Sequence, residues 1–219
     1  MSIDTKQIIL HNVSEVVIGE IINRPSKNIR SPYVADVQLE DGSIVLGHTA
    51  ALGCCGYADK NNSVYMIKSK PGSKCDYTIL QALRTDIQRH KLTTVGIAPK
   101  LAEYIVGNAL EKNIINDLDV LSFQREKKFL NSRFDFIGDT KDGKKFILEV
   151  KNVPLADYEN IDSKIRKERI KKNNNYIDLP HNSKIAYFPD GYRKKKTDTV
   201  SPRALKHIQE LEILKRENE

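Results

Sequence analysis

Residues 132–151 read SRFDFIGDTKDGKKFILEVK and are the most informative stretch of this 219-residue chain. Asp142-Gly143 lies between two apolar runs, and Asp-Gly in that setting favours a tight turn because glycine tolerates positive φ. We therefore predict an antiparallel hairpin. Side chains alternate along a strand, so Glu149 and Lys151 share one face, and Asp135 leaves its phenylalanine neighbours to join them. The hairpin is thus predicted to bring two carboxylates and one amine together.

Such a trio suits phosphodiester hydrolysis. Mg2+ is commonly held by one or two carboxylates together with water and substrate phosphate, a role open to Asp135 and Glu149. The metal would polarise a phosphoryl oxygen and lower the pKa of a bound water, while Lys151 would orient that water or neutralise charge in the transition state. The alternative is a hairpin whose wet face carries solvated charges, which is common in a chain with 30% charged residues.

The net charge of +7 favours a polyanionic partner, a property shared with ribosomal and membrane-surface proteins. The positive charge is concentrated in residues 164–172 and 193–196, and each run is either a solvated face or a phosphate contact. From the second run we select Lys194 and Lys195 as nucleic-acid contacts. No segment approaches transmembrane length, and residues 1–6 lack a signal-peptide core, so we expect a cytoplasmic, intracellular protein without membrane association.

The three cysteines, Cys54, Cys55 and Cys75, do not form a disulfide framework, and reduced thiols are expected. With His48 they nominally form a zinc set. The adjacent pair lacks the usual spacer of two to four residues, which favours the alternative role of small buried side chains.

Residues 1–92 contain short alternating runs with little helical periodicity, which predict a small barrel of the oligonucleotide-binding (OB) type. The predicted strands span residues 7–10, 16–22, 33–39, 44–48, 64–68 and 75–80. Bases commonly stack on aromatic side chains in such barrels. The candidates here are Tyr33, Tyr57, Tyr65 and Tyr77, of which Tyr33 and Tyr65 alternatively pack inside the barrel.

Residues 88–96 are interpreted as the join to a second domain, residues 93–219. A proline-initiated helix is predicted over 99–110, followed by a strand over 120–129 and the hairpin. Residues 156–183 read as a polar, basic insertion. Ser201 and Pro202 begin a last helix with an apolar stripe of Leu205, Ile208, Leu211 and Leu214. The fold class is therefore mixed α/β (α+β), an OB-like β-barrel followed by a domain with a central mixed sheet.

Several separated motif blocks occur in a characteristic order. They are Arg24-Pro25, Tyr33-Val34-Ala35-Asp36-Val37, Leu46-Gly47-His48, Ala109-Leu110-Glu111, Arg125-Glu126, Ser132-Arg133-Phe134-Asp135-Phe136, Glu149-Val150-Lys151-Asn152-Val153-Pro154-Leu155, Phe188-Pro189-Asp190 and Arg203-Ala204-Leu205-Lys206-His207-Ile208. In these blocks the chain resembles the sugar fermentation stimulation protein family, whose members join an OB-like barrel to a nuclease domain of the PD-(D/E)xK type. Together the blocks are far more selective than Glu-x-Lys alone.

The resemblance implies a Mg2+- or Mn2+-dependent nuclease that acts on DNA and also on RNA. Asp135 and Glu149 match the metal-binding carboxylates, Lys151 matches the active-site lysine, and Glu126 matches an acidic position that assists the metal. The matched nucleic-acid-binding residues are Arg24, His48, Arg133, Lys206 and His207. For His207 the alternative is a helix-surface or core histidine, and Asp190 is either a turn residue or a ligand.

The chain departs from the family pattern at three places. Residues 49–53 replace the family's Cys-Pro-Asn-Thr-Gly, and Glu103-Tyr104 replaces an Asn-Arg pair in the first helix of the nuclease domain. The family also continues beyond the Lys-His helix into another strand and helix, so we expect the usual C-terminal end to be truncated. The exposed sheet edge is then covered by a homodimer partner, by the insertion or by N-terminal strands. The alternative functions are a non-catalytic nucleic-acid-binding or regulatory protein and a structural subunit.

Overall fold

The computed structural model describes residues 8–50, 56–86, 91–154, 156–157, 159, 161, 163–172, 183, 185–186 and 201–217. The strands are β1 Val17–Asn23, β2 Val34–Leu39, β3 Ile44–His48, β4 Ser63–Lys68, β5 Tyr77–Asp86, β6 Lys91–Gly96, β7 Val120–Phe129, β8 Ser132–Thr140, β9 Lys145–Leu148, β10 Ala156–Asp157 and β11 Ile185–Ala186. The helices are α1 Pro99–Glu111, α2 Ser163–Lys172 and α3 Pro202–Arg216. None of the helices in these ranges is long and apolar enough to cross a membrane.

Strands β1 to β5 form a five-stranded barrel. Antiparallel pairing runs through β3, β2, β1, β4 and β5, and a parallel contact between β3 and β5 closes it. Closure brings one apolar face of every strand inward, so the side chains of Ile21, Val37, Met66 and Ile79 are at most 1% exposed. The predicted fold class, a barrel followed by a second sheet in a mixed α/β chain, is confirmed.

Two local predictions in the N-terminal half are wrong. Residues 91–96 of the predicted join form β6, which pairs antiparallel with β5 and uses three consecutive β-branched residues, Thr93, Thr94 and Val95. Residues 8–10 were predicted as strand but have no strand partner in the described part of the chain. The carbonyl of Leu10 instead accepts a hydrogen bond from the Asn108 side chain.

The second sheet has the order β7-β8-β9, and both pairings are antiparallel. Helix α1 packs against it through Arg125 of β7. The Arg125 guanidinium lies 5.0 Å from the centroid of the Phe136 ring and pairs with Glu111 at 3.6 Å. A Cβ at Gly107 would overlap this guanidinium, so the helix approaches the sheet where it has no side chain.

Helix α3 packs with a face that only partly coincides with the predicted apolar stripe. Its buried residues are Ala204, His207 and Glu210. Leu205 and Ile208 are 42% and 55% exposed. The edge of the His207 ring instead packs on Phe134 of β8, with centroids 5.9 Å apart. The predicted stripe is therefore wrong at Leu205 and Ile208, because a contact with the hairpin determines how the helix is oriented, while Leu211 and Leu214 are half-buried.

Gly138 is the position in β8 at which a side chain is sterically excluded. A Cβ there would overlap the carbonyl oxygen of Ser122 and lie 2.7 Å from the Phe146 ring. We expect Gly138→Ala to lower the free energy of unfolding by about 1–3 kcal/mol in urea denaturation. Gly96→Ala is the control, because its nearest neighbour is 3.9 Å away, and its effect should stay below about 0.5 kcal/mol. Equal losses in both variants would contradict the steric explanation.

Candidate metal centre

Asp135 connects the hairpin strand β8 to the segment that carries Glu149 and Lys151. Its backbone lies between Phe134 and Phe136, which are 0% and 1% exposed and turn their rings to the core. Regular pairing of β8 with β9 ends at Leu148. Beyond that point Asp135 Oδ2 accepts a hydrogen bond of 2.7 Å from the backbone N–H of Val150. The side chain therefore replaces the missing strand pairing and holds the segment beside β8.

The Glu149 carboxylate is buried and its two oxygens differ. Its side chain is 7% exposed, and Oε1 lies 2.5 Å from His207 Nδ1 and also contacts the Lys151 ammonium. Oε2 is buried and has no hydrogen-bond partner among the described residues. A buried carboxylate oxygen without a partner carries a desolvation penalty that a bound cation would relieve. Glu149 thus has one oxygen held by protein and one open.

Burial raises the pKa of Asp135 above its ordinary 3.8, and the negative charges of Glu149 and Glu103 act in the same direction. The Val150 N–H and the Lys151 ammonium oppose these effects. Such a site is short of positive charge, which is the electrostatic condition that a divalent cation satisfies.

The donor set fits a hard divalent cation. Asp135 and Glu149 supply carboxylate oxygens, and Mg2+ needs only one or two of these when waters and substrate phosphate complete the shell. Within the described ranges, no three or more His, Cys, Asp or Glu side chains are arranged to hold a metal by themselves. The site therefore fits an ion that keeps open positions for water and substrate better than a fully protein-coordinated one.

Glu126 is more exposed than Asp135 and Glu149 and pairs with two cations. Its backbone has a positive φ of 54°, and its side chain is 45% exposed. The carboxylate pairs with Lys100 at 3.1 Å and with Arg133 at 3.2 Å, and Lys100 is the main cause of its lowered pKa. Assistance to the metal by Glu126 stays a prediction.

Sequence reasoning missed the role of Glu103. It read this position as the replacement of a family amide by an acid, yet Glu103 adds negative charge near Asp135. Its carboxylate lies 2.5 Å from the Lys100 ammonium, which also reaches Glu126. The signal in the sequence was the spacing of three residues between Lys100 and Glu103 on a helix that begins beside β7.

The predicted nucleic-acid contacts in the second half of the chain occupy different settings. Arg133 is 68% exposed near the β7–β8 turn. Lys206 donates to the Asn131 carbonyl at 2.6 Å and so lies beside the same turn. His207 is buried with 6% exposure and faces Glu149 instead of solvent. Lys194, Lys195 and Asp190 fall outside the described residues. Nucleic-acid binding by these residues stays a prediction.

The predicted contacts in the barrel also differ in exposure. The Arg24 side chain is 6% exposed and donates to the Pro32 carbonyl at 3.0 Å. His48 stacks with Tyr33 at a centroid distance of 6.5 Å, and both line a cavity of about 450 Å³. Cys75 lines the same cavity, and burial raises the pKa of its thiol. Cys54 and Cys55 lie outside the described residues, so the zinc alternative stays untested.

The comparisons with known proteins agree on one family. A family model described as "Sugar fermentation stimulation protein RE domain" matches residues 100–163. A sugar fermentation stimulation protein homologue of Prochlorococcus marinus is 28% identical over 91% of this chain and 69% of its own length. A homologue of Geotalea daltonii is 33% identical over 57% of this chain and 53% of its own length. The chain therefore spans only part of the length of these relatives.

A solved structure supports the fold. The chain resembles Pyrococcus furiosus SfsA, solved in complex with Ca2+, with a TM-score of 0.53 and 19% identity. The match covers 66% of this chain and 58% of the Pyrococcus chain.

The pH dependence of stability should report the burial of Asp135. The folded protein holds the Asp135 proton more tightly than the unfolded chain does, so the contribution of Asp135 to the free energy of unfolding falls as pH rises from about 3.8 through the folded pKa. Asp135→Asn removes the charge and keeps an oxygen for the Val150 N–H. In denaturation measured across pH, we expect this variant to be more stable than the wild type at neutral pH, with the difference disappearing in acid.

Asp142→Asn is the control with the opposite sign. Hydrogen bonds from Lys144 and then Thr140 lower the pKa of Asp142 to about 2. This carboxylate stabilises the fold above the unfolded pKa, and the contribution is lost as pH falls through about 2. The variant should therefore be less stable than the wild type at neutral pH. A loss of stability at neutral pH in Asp135→Asn as well would contradict the burial argument.

Proposed function

We propose that this chain is a member of the sugar fermentation stimulation protein family, binds nucleic acid and is a Mg2+- or Mn2+-dependent nuclease. DNA is the principal substrate and RNA a second one. The observation that carries the proposal is the buried Oε2 of Glu149, which has no hydrogen-bond partner among the described residues. Glu149 directly follows β9, in the segment that the Val150 N–H joins to Asp135. The Ca2+ complex of the Pyrococcus protein supports a hard divalent ion in this fold.

Each residue of the site has a separate role in the proposal. Asp135 and Glu149 hold the cation through carboxylate oxygens, and the Val150 N–H keeps Asp135 in place. A bound Mg2+ or Mn2+ supplies Lewis acidity and an activated water. Lys151, whose side chain is 33% exposed, places its ammonium where it neutralises charge on a phosphate that enters from solvent.

The barrel and the β7–β8 turn supply surfaces for the nucleic acid. The cavity lined by Tyr33 and His48 also includes Lys74, so an aromatic face and a cation lie together. Stacking of bases on aromatics combined with cationic contacts to the backbone is the usual means of binding single strands. The exposed basic side chains of β7 and β8, Lys127, Lys128 and Arg133, provide a second positive surface.

Cleavage should depend on Glu149. We expect Glu149→Gln to reduce hydrolysis of single- or double-stranded DNA with Mg2+ or Mn2+ by at least about a hundredfold, because it removes a ligand charge at the reacting centre. Asp139→Asn is the control on the same hairpin, since Asp139 pairs with Lys145 at the far end of β8. Gel-based cleavage assays on both variants provide the measurement. Hydrolysis by Glu149→Gln at the wild-type rate would contradict the proposed nuclease site.

Binding should depend on Tyr33. Its side chain is 37% exposed at the cavity, and loss of one stacked base costs about 1–3 kcal/mol. We expect Tyr33→Ala to weaken binding of single-stranded DNA about 5- to 150-fold in fluorescence anisotropy with a chelator present. Ile44→Ala, which shortens a barrel side chain that is 62% exposed, is the control and should bind as the wild type does. Equal affinities of the wild type, Tyr33→Ala and Ile44→Ala for single-stranded DNA would contradict binding at the cavity lined by Tyr33.

A second candidate function is nucleic-acid binding without cleavage. The contacts of Glu149 Oε1 with both Lys151 and His207 favour it, because protein groups already hold this oxygen and the Lys151 ammonium supplies one positive charge. In that case binding weakens steeply as salt rises, through release of counterions, while DNA stays intact with either metal. Absence of any affinity at low salt would instead favour a structural subunit.

A further inference from the structure

We infer that His207 is a positioning residue of the metal centre, holding Oε1 of Glu149 so that Oε2 is the oxygen presented to the cation. This role of His207 rests on the proposed metal site. His207 lies on α3, which is the helix farthest in sequence from Asp135 and Glu149. His207 is thereby a partner of a metal ligand, in contrast to the phosphate contact expected from the sequence.

Among the described residues, the polar side chains in contact with His207 are those of Glu149 and Lys151. Its side chain is 7% exposed, and its Nδ1 lies 2.5 Å from Glu149 Oε1. The Phe134 ring meets the imidazole edge-on with centroids 5.9 Å apart. Phe134 is itself 0% exposed and lies next to Asp135 on β8. The ring is therefore held from one side by the core of the sheet and from the other by the carboxylate.

The chemistry of the partners assigns the proton. A carboxylate that holds a cation only accepts hydrogen bonds, so in the proposed metal site the Nδ1 that faces Glu149 Oε1 carries the hydrogen. Lys151 Nζ lies 3.4 Å from the same nitrogen. An ammonium only donates, so with Nδ1 protonated the acceptor of Lys151 in this cluster is also Oε1. Two donors thus converge on one oxygen of Glu149.

This convergence orients the carboxylate. With Oε1 held twice, Oε2 is left buried and without a hydrogen-bond partner among the described residues. Without the imidazole, the carboxylate can rotate so that both oxygens approach Lys151, which weakens its availability to a cation. Groups that orient metal ligands in this way are typically worth 10- to 100-fold in metal affinity. Helix α3 therefore contributes to the site through a hydrogen bond and not through a metal ligand.

The test measures Mn2+ binding to the full chain by isothermal titration calorimetry and electron paramagnetic resonance, without nucleic acid. The variants are His207→Asn, His207→Gln and His207→Phe. The amide nitrogen of asparagine lies near the position of Nδ1, that of glutamine near Nε2, and phenylalanine keeps the ring packing while removing both donors. We expect the asparagine variant to bind Mn2+ within about threefold of the wild type, and the other two to bind about 10- to 100-fold more weakly.

Two controls separate positioning from folding and from the metal site itself. Thermal unfolding of each variant sets a temperature at which all are folded, and titrations are made below it. Ile208→Ala, at a neighbouring position of α3 that is 55% exposed, is the matched control and should bind Mn2+ as the wild type does. Equal Mn2+ affinity in the phenylalanine variant and the wild type, or equal losses in the asparagine and phenylalanine variants, would overturn the inference alone. Failure of the wild type to bind Mn2+ would overturn both the metal site and the role of His207.

Discussion

The hydrogen bond from the Val150 N–H to Asp135 Oδ2 is the contact on which the candidate site depends. The backbone ladder between β8 and β9 stops at Leu148, one residue before Glu149. A side chain takes over where the ladder ends, and the segment with Glu149 and Lys151 stays beside β8. The side chains of the candidate site therefore leave the regular sheet and keep a fixed position, with Glu149 close enough to Asp135 for its negative charge to raise the pKa of Asp135.

That arrangement costs electrostatic free energy. Asp135 is partly desolvated near two other carboxylates, and Glu149 is buried with one oxygen lacking a hydrogen-bond partner among the described residues. Burial of like charges at this density is unfavourable unless a positive charge compensates it. Lys151 supplies part of that charge from the protein. A bound cation would offset this unfavourable electrostatic free energy. Sites in which stability is lowered in this way are common where activity requires buried charges.

The orientation of α3 follows from the same cluster. The helix carries leucine and isoleucine at helical spacing, yet Leu205 and Ile208 face outward while His207 and Glu210 are buried. A packing face usually follows the apolar stripe because burial of apolar area is the main driving force. Here the short Ala204 side chain and the contact of His207 with Phe134 bring the polar face against β8. The site and the helix thus determine each other's position.

Alternation in the sequence was sufficient to predict the barrel, the long strand β7 and the hairpin of β8 and β9, because a period of two depends only on local residue order. The same period also predicted Asp135, Glu149 and Lys151 on one face of the hairpin, but β9 ends at Leu148, so the positions of Glu149 and Lys151 depend instead on the contact of Val150 with Asp135. The hydrogen bond to Val150, the division of labour between the two oxygens of Glu149, and the approach of Glu103 and His207 did not follow from that period. These contacts join residues that are 15 to 58 positions apart, and they depend on helix orientation and on where a strand ends. The sequence by itself determined which carboxylates and amine are available, and only the tertiary structure decided which oxygen each partner holds, because a carboxylate acquires two different oxygens only when its neighbours are fixed in space.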